Sequence, residues 1–395
     1  YLNASILSHI RATYLGAMNH YMGNSPSEKF MTAKDPLFAP HNAGPLQLKN
    51  RFAVAPMTRV SATEEGSATE LMAKYYDRFS KGGFGLLITE GLYTDQKYAQ
   101  GNLFQPGMSD ETQAESWKTI VEQTHKAGAK IVAQLMHAGP LVQGNRFVKG
   151  SIGPSAVQPR GEQMTSYYGK GKFPIPKEAS ETDIADAIEG FARAAHLATH
   201  ISGFDAVEIH GANGYLLDQF FTDYGNSRSD RWGGDVSNRV QLILETVKAV
   251  KKTIKPGSAL GVRISQGKVN DFFHKWSEGE QGANVVFEAL ANLGVDYIHV
   301  TEFEAWQPAF SNTEKSLATL ARLHAPGVTV ITNGSLHDLS RSEQLLEEGA
   351  DVIAYGRGAL ANPDLPTRAK NGEDLRDFDP SILSPIANIK DSELA

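Results

Sequence analysis

The stretch DAVEIHGANGYLLDQFF, residues 205–221, holds the pattern that decides the fold. Its first part, AVEI, is a short apolar run that reads as a buried strand. Where the run ends come His210, Asn213 and Tyr215, three side chains with hydrogen-bonding or acid–base chemistry. Apolar chain leading directly into a cluster of reactive polar residues is what a barrel strand does at its C-terminal end.

The same pattern recurs along the chain. Seven further β-rich runs appear: RFAVAPM (51–57), FGLLITE (84–90), KIVAQLMH (130–137), LGVRIS (260–265), DYIHVT (296–301), VTVITN (328–333) and DVIAYG (351–356). Between them lie amphipathic stretches such as ELMAKYYDRFSKGG and NRVQLILETVKAVKKT, several closing on Gly or Lys as helix ends do. Strand–helix alternation implies a parallel sheet with helical crossovers. Eight such units predict an α/β fold, a closed (β/α)8 TIM barrel. A doubly wound open sheet is the competing architecture, but the sequence contains neither Gly-x-Gly-x-x-Gly nor Gly-x-x-x-x-Gly-Lys.

The division of the chain follows. Residues 1–34 are expected to form an N-terminal arm, 35–373 the barrel, and 374–395 a C-terminal tail. Between the third strand and the next helix lie residues 138–181, rich in Gly, Pro, Tyr and Lys. A loop that long is expected to be functional, here a cap on the C-terminal face. Leu2, Ile6, Leu7, Ile10, Tyr14 and Leu15 are spaced to line one helical face in the arm, which would pack on the body or on a second subunit in a homodimer.

Composition narrows the function. The chain has 395 residues, 41% of them hydrophobic, enough for a full core. Its 38 basic and 45 acidic residues give a net charge of −7, which argues against a nucleic-acid partner. The absence of cysteine removes disulfides, thiolate catalysis, iron–sulfur clusters and cysteine zinc sites. It fits a reducing compartment, so a cytoplasmic protein is expected. No run approaches the ~18 apolar residues that span a bilayer, so no membrane partner is expected. No carboxylate–histidine set supports a metal site.

The ends of the strands carry the candidate chemistry. The turns after strands seven and eight, Asn333-Gly334-Ser335 and Gly356-Arg357-Gly358, suit a phosphate. Glycines let backbone N–H groups approach the anion, and Arg357 can add charge-assisted bonds. Gln134 and Arg263 stand where they can hold the other end of a phosphorylated aromatic cofactor. His210 and Asn213 can donate to one oxygen and polarise it, and Tyr215 can give a proton. Two such donors and one acid facing a flat cofactor fit hydride addition to an activated double bond.

HGANGYLLDQFF, followed by NSRSDRWGG (226–234), together with NRFAVAPMTR, AQLMHAG, LGVRIS and YGRGALANPDLP, resembles the old yellow enzyme family of flavin oxidoreductases. The resemblance implies an FMN-containing barrel that takes hydride from NAD(P)H and passes it to a small electron-poor alkene. It implies that Ala55, Pro56, Met57, Thr58, Gly91, Gln134, His210 and Arg263 contact the flavin ring. It also implies that Gly334, Ser335, Gly356 and Arg357 hold the phosphate, that His210 and Asn213 bind the substrate's activating oxygen, and that Tyr215 is the proton donor.

The tail, DLRDFDPSILSPIANIKDSELA, lacks the Tyr-Gly-Gly and aromatic residues of many members. Phe303 and Trp306 are therefore candidates for the substrate-facing wall. Two other enzymatic readings stand beside this one. One is an isomerase or specialised-metabolite enzyme of the same family. The other is a flavin-free lyase barrel acting on a phosphorylated metabolite, which would need a Schiff-base lysine or a carboxylate metal set at the strand ends, and the sequence shows neither. A barrel kept as a binding subunit without turnover is disfavoured by the intact His210, Asn213 and Tyr215.

Overall fold

The computed structural model describes residues 36–394. The expected N-terminal arm, its amphipathic face and any dimer contact through it lie outside the described residues. Eight strands form the barrel: β1 (Phe52–Val54), β2 (Leu86–Ile88), β3 (Lys130–Met136), β4 (Ala206–Asn213), β5 (Ala259–Lys268), β6 (Tyr297–Thr301), β7 (Thr329–Asn333) and β8 (Val352–Tyr355). Each pairs in parallel with the next. β8 pairs with β1, through Ile353 opposite Phe52, and closes the ring. All eight runs read from the sequence are barrel strands. The fifth extends further than its apolar run, to Lys268.

Side-chain alternation explains why the ring holds together. Along β5, Leu260, Val262 and Ile264 face outward into the core beneath the helices. Gly261, Arg263 and Ser265 therefore face inward. The same period of two sends Ile131, Ala133 and Leu135 outward from β3 and Ala206 and Val132 into the lower interior. That lower interior is sealed by an antiparallel hairpin, His41–Ala43 against Leu46–Leu48, whose Ala43, Leu46 and Leu48 bury against Leu86, Ala259 and Tyr297. Gly261 is required there: a Cβ at this position would lie 2.0 Å from the Tyr297 ring.

The crossover helices follow the predicted stretches. α1 (Glu70–Lys81) begins at Thr69, whose hydroxyl accepts from the Met72 N–H, and ends at Gly82. α2 spans Lys118–Lys126. α3 (Glu181–His196) opens with a capping box between Ser180 and Asp183. α4 (Gln241–Lys251), α5 (Glu280–Asn292), α6 (Leu317–His324) and α7 (Leu339–Glu347) complete the series to β8. Two short helices, α8 (Arg357–Ala361) and α9 (Leu365–Asn371), follow it. No described helix is long and apolar enough to cross a membrane.

Two irregular segments lie over the C-terminal ends of the strands. The cap, expected over residues 138–181, gives way to α3 at Glu181; before it lie only a two-residue strand pair, Ile152–Gly153 with Lys177–Glu178, and short turns. The tail returns to the strand ends and is tied there by Arg59.

Candidate active site

The turn after β4 is held from several sides. Asn213 adopts a left-handed backbone, φ 62°, a conformation Asn tolerates better than most residues. Its N–H donates to Ser265 Oγ at 2.8 Å, and its carbonyl accepts from the Val269 N–H at 3.1 Å. The Gly214 N–H donates to Asp218 Oδ2 at 2.6 Å, and Asp218 pairs with Lys268 at 2.7 Å, both side chains fully buried. With the backbone satisfied, the side chains of Asn213 and Tyr215 have no hydrogen-bond partner among the described residues and line an open cleft.

His210 stands across from Arg263 in the β4–β5 register. It is 3% exposed and its Nδ1 has no partner. Burial, and then the positive charge of Arg263, hold its pKa well below the usual imidazole value. The ring is therefore neutral at physiological pH and offers one N–H donor and one acceptor. Its edge meets the Tyr215 ring at 5.0 Å between centroids. Burial raises the Tyr215 pKa above that of a free tyrosine, and nearby Tyr167 adds to the rise, so the phenol keeps its proton.

Arg263 is a buried cation. Its Nη2 donates to Asn333 Oδ1 at 2.8 Å and to Thr301 Oγ1 at 3.2 Å, while its Nε has no partner. Burial pulls its pKa down to about 10, so it is still charged at neutral pH. A guanidinium so placed favours an anion or an electron-rich oxygen beside it.

The cleft, open to solvent on one side, offers about 1020 Å³ of space including its mouth. Pro56, Met57, Thr58, Gly91, Gln134, His210, Asn213, Tyr215 and Arg263 line it together. Ala55 lies just beneath, buried, with its N–H bonded to the Tyr355 carbonyl. A second chamber adjoins through Asn213, Val269, Phe272, Gly356 and Arg357, which line both. Gly334, Ser335 and Gly358 line its far side. Gly334 has φ 148°, and a Cβ there would lie 2.2 Å from the Glu302 carbonyl oxygen. One elongated groove results, apolar with a polar floor at one end and ringed by glycine turns and Arg357 at the other.

Trp306 is not brought to the groove. Its ring lies 5.1 Å from the Arg341 guanidinium and packs against the outer core. Phe303 does line the second chamber. The wall facing Tyr215 comes instead from residues the sequence reading passed over: Met164 and Tyr167 of the cap and Leu383 of the tail. The tail is anchored by Arg59, whose guanidinium meets Glu393 at 2.5 Å with side chains 0% and 3% exposed. Arg59 also donates to the carbonyls of Ala387 and Asn388. The Ala387 N–H donates to Ser166 of the cap, which joins the two segments. The length of residues 138–181 marked the cap part of this wall, but nothing in the sequence marked the tail part, whose Arg59–Glu393 contact spans 334 positions.

The strand ends do hold a lysine: Lys268 stands at the end of β5, in the second chamber. Both Asp218 oxygens engage its ammonium, at 2.7 and 2.8 Å, which leaves it a bracing cation.

The sequence matches the NADH:flavin oxidoreductase / NADH oxidase family over residues 36–376. It is 30% identical over 357 residues to a probable flavin mononucleotide-dependent alkene reductase of Leishmania infantum, covering 88% of this chain and 94% of the relative. It is 31% identical over 369 residues to 12-oxophytodienoate reductase 1 of Oryza sativa subsp. japonica, covering 92% and 93%. Among solved structures it resembles the old yellow enzyme homologue from Zymomonas mobilis, with TM-score 0.81, 30% identity and coverage of 91% and 98%.

Proposed function

We propose a specific reaction on one premise: the chain belongs to the NADH:flavin oxidoreductase / NADH oxidase family, that of the old yellow enzymes, and is an FMN-dependent oxidoreductase using a nicotinamide hydride donor. The reaction is reduction of the activated C=C bond of α,β-unsaturated carbonyl or nitro compounds. The observation that carries it is the set of unpartnered groups at the end of β4: His210, Asn213 and Tyr215 on one turn, facing one cleft.

The groove fits the cofactor. Its floor presents an unpaired Arg263 Nε and His210 Nδ1, and a Gln134 carbonyl oxygen without a donor among the described residues. These suit the heteroatom edge of a flavin ring, with Arg263 balancing the negative charge of the reduced form. Thr58, Gly91 and the chain from Ala55 to Met57 would flank the ring. Gly334, Ser335, Gly356 and Arg357 would hold the phosphate.

Bound FMN supplies the hydride. The protein's part is to orient and polarise the alkene. His210, through one N–H, and Asn213, through its amide, donate to the carbonyl or nitro oxygen and stabilise the charge that develops there. Tyr215, protonated and within reach of the same space, delivers a proton to the α-carbon. Met164 and Tyr167 of the cap and Leu383 of the tail wall the space beside it.

The test is spectroscopic. Purified protein should show a flavin spectrum that bleaches with NADPH or NADH without oxygen and returns on adding 2-cyclohexenone. Tyr215→Phe should leave bleaching intact and slow the return at least about 100-fold. A flavin that bleaches but ignores enones and nitroalkenes removes the ene-reductase reading, and one that the Phe variant reoxidises at the full rate removes Tyr215 as the acid.

A further inference from the structure

The barrel interior holds a carboxylate that the reaction above does not use. Glu208 lies two residues before His210 in β4, so both side chains point inward. It is fully buried, where an unbonded charge is very costly. His299 on β6 donates to it through Nδ1 at 2.9 Å, and Gln134 on β3 approaches it through the amide nitrogen at 2.7 Å. Burial opposes its ionisation, but His299, Arg263 and Gln134 together outweigh that and hold its pKa below the usual carboxylate value. Burial also keeps His299 neutral.

An ionised carboxylate can only accept hydrogen bonds. With His299 on one carboxylate oxygen, the Gln134 NH₂ meets the other at hydrogen-bond distance, the amide orientation in which both contacts are donated to the carboxylate. Gln134 lines the cleft, so its carbonyl oxygen becomes the atom presented there. We propose that Glu208, held by His299, is a positioning residue that sets Gln134 as an acceptor for a ring N–H of the flavin and offsets part of the charge of Arg263. The proposal rests on the FMN reading. It has a second consequence: a fixed anion near the ring opposes electron uptake, so removing its charge makes the flavin easier to reduce.

The experiment uses protein stripped of flavin and reloaded with FMN or with 3-methyl-FMN, which lacks the ring N–H. Wild type should bind FMN at least about tenfold more tightly than the methylated flavin. Glu208→Gln is isosteric and lets the Gln134 amide turn over. It should bring that ratio toward one and raise the midpoint potential of bound FMN, measured by spectroelectrochemistry. A purely steric effect of the methyl group would survive Glu208→Gln. A folded Glu208→Gln protein with unchanged ratio and potential overturns the proposal. Should that variant not fold, Gln134→Leu decides, since it removes the acceptor and must lose the discrimination; if it still discriminates, the proposal fails. Equal binding of the two flavins by wild type overturns the proposal alone, whereas failure to bind either overturns it together with the FMN reading.

Discussion

The floor and the wall of the groove are built on opposite principles. The floor is made of strand ends. Gln134, His210 and Arg263 sit at fixed positions in consecutive paired strands, and each is placed by a period of two and a parallel register. The wall is made of a cap and a tail with little regular structure, the tail held by Glu393 between Arg59 and Arg78 and by a few backbone bonds. Chemistry common to a family can reside in the floor, because any sequence that forms the barrel reproduces its geometry. Access and shape reside in the wall, which can change without disturbing the strands.

That contrast can be broken by striking the wall alone. Glu393→Ala leaves the Arg59 guanidinium buried without its carboxylate. Loss of one partner of a buried pair costs ~3–5 kcal/mol. Chemical denaturation should show a loss of that order if the tail unfolds cooperatively with the barrel. FMN affinity should be unchanged within about twofold, because none of the floor residues touches Glu393 in the hydrogen-bond network. Equal losses of stability and flavin binding would show that floor and wall are one unit.

Glu90 tests the joint between the two. It precedes Gly91 of the floor and accepts the Arg59 N–H at 3.0 Å, while its other oxygen has no partner. Burial pushes its pKa up to about 7, against the pull of the Arg59 bond and charge. Between the unfolded value near 4.5 and about 7, the folded state holds the proton more tightly. Its contribution to stability is therefore greatest at low pH and falls as pH rises through that window. Urea unfolding of wild type and Glu90→Gln should show the wild-type advantage shrinking by ~2–3 kcal/mol from pH 5 to pH 8. A constant difference would mean that the carboxyl is ionised throughout.

The smallest effect sharpens the comparison. Tyr167→Ala opens the wall opposite Tyr215 without touching a strand. Steady-state kinetics should show KM for bulky enones changed by about 3- to 10-fold, with flavin reduction by the nicotinamide cofactor unaltered. A fall in the rate of flavin reduction would place Tyr167 in the floor's chemistry instead.

The sequence by itself determined the barrel and which side chains meet in one cleft at its C-terminal end. Eight apolar runs separated by amphipathic stretches admit few topologies, and the side chains at the ends of parallel strands must converge. His210, Asn213, Tyr215, Gln134 and Arg263 were legible for that reason, as were the glycine turns after β7 and β8. Trp306 was misread because proximity to a strand end does not say which way a loop side chain turns, and it turned outward under Arg341. Lys268 was passed over because β5 runs beyond its apolar segment.

Only the tertiary structure decided the rest. Glu208 lay inside an apparently apolar run, and its role emerged when β3 and β6 brought Gln134 and His299 to it. Arg59 met Glu393 across 334 positions of chain, and Tyr167 and Leu383 reached one cavity from two separate loops. Local periodicity records which residues are buried together on one element. It carries no record of which distant loops a single buried charge will draw together, because that depends on the three-dimensional path of the chain between them.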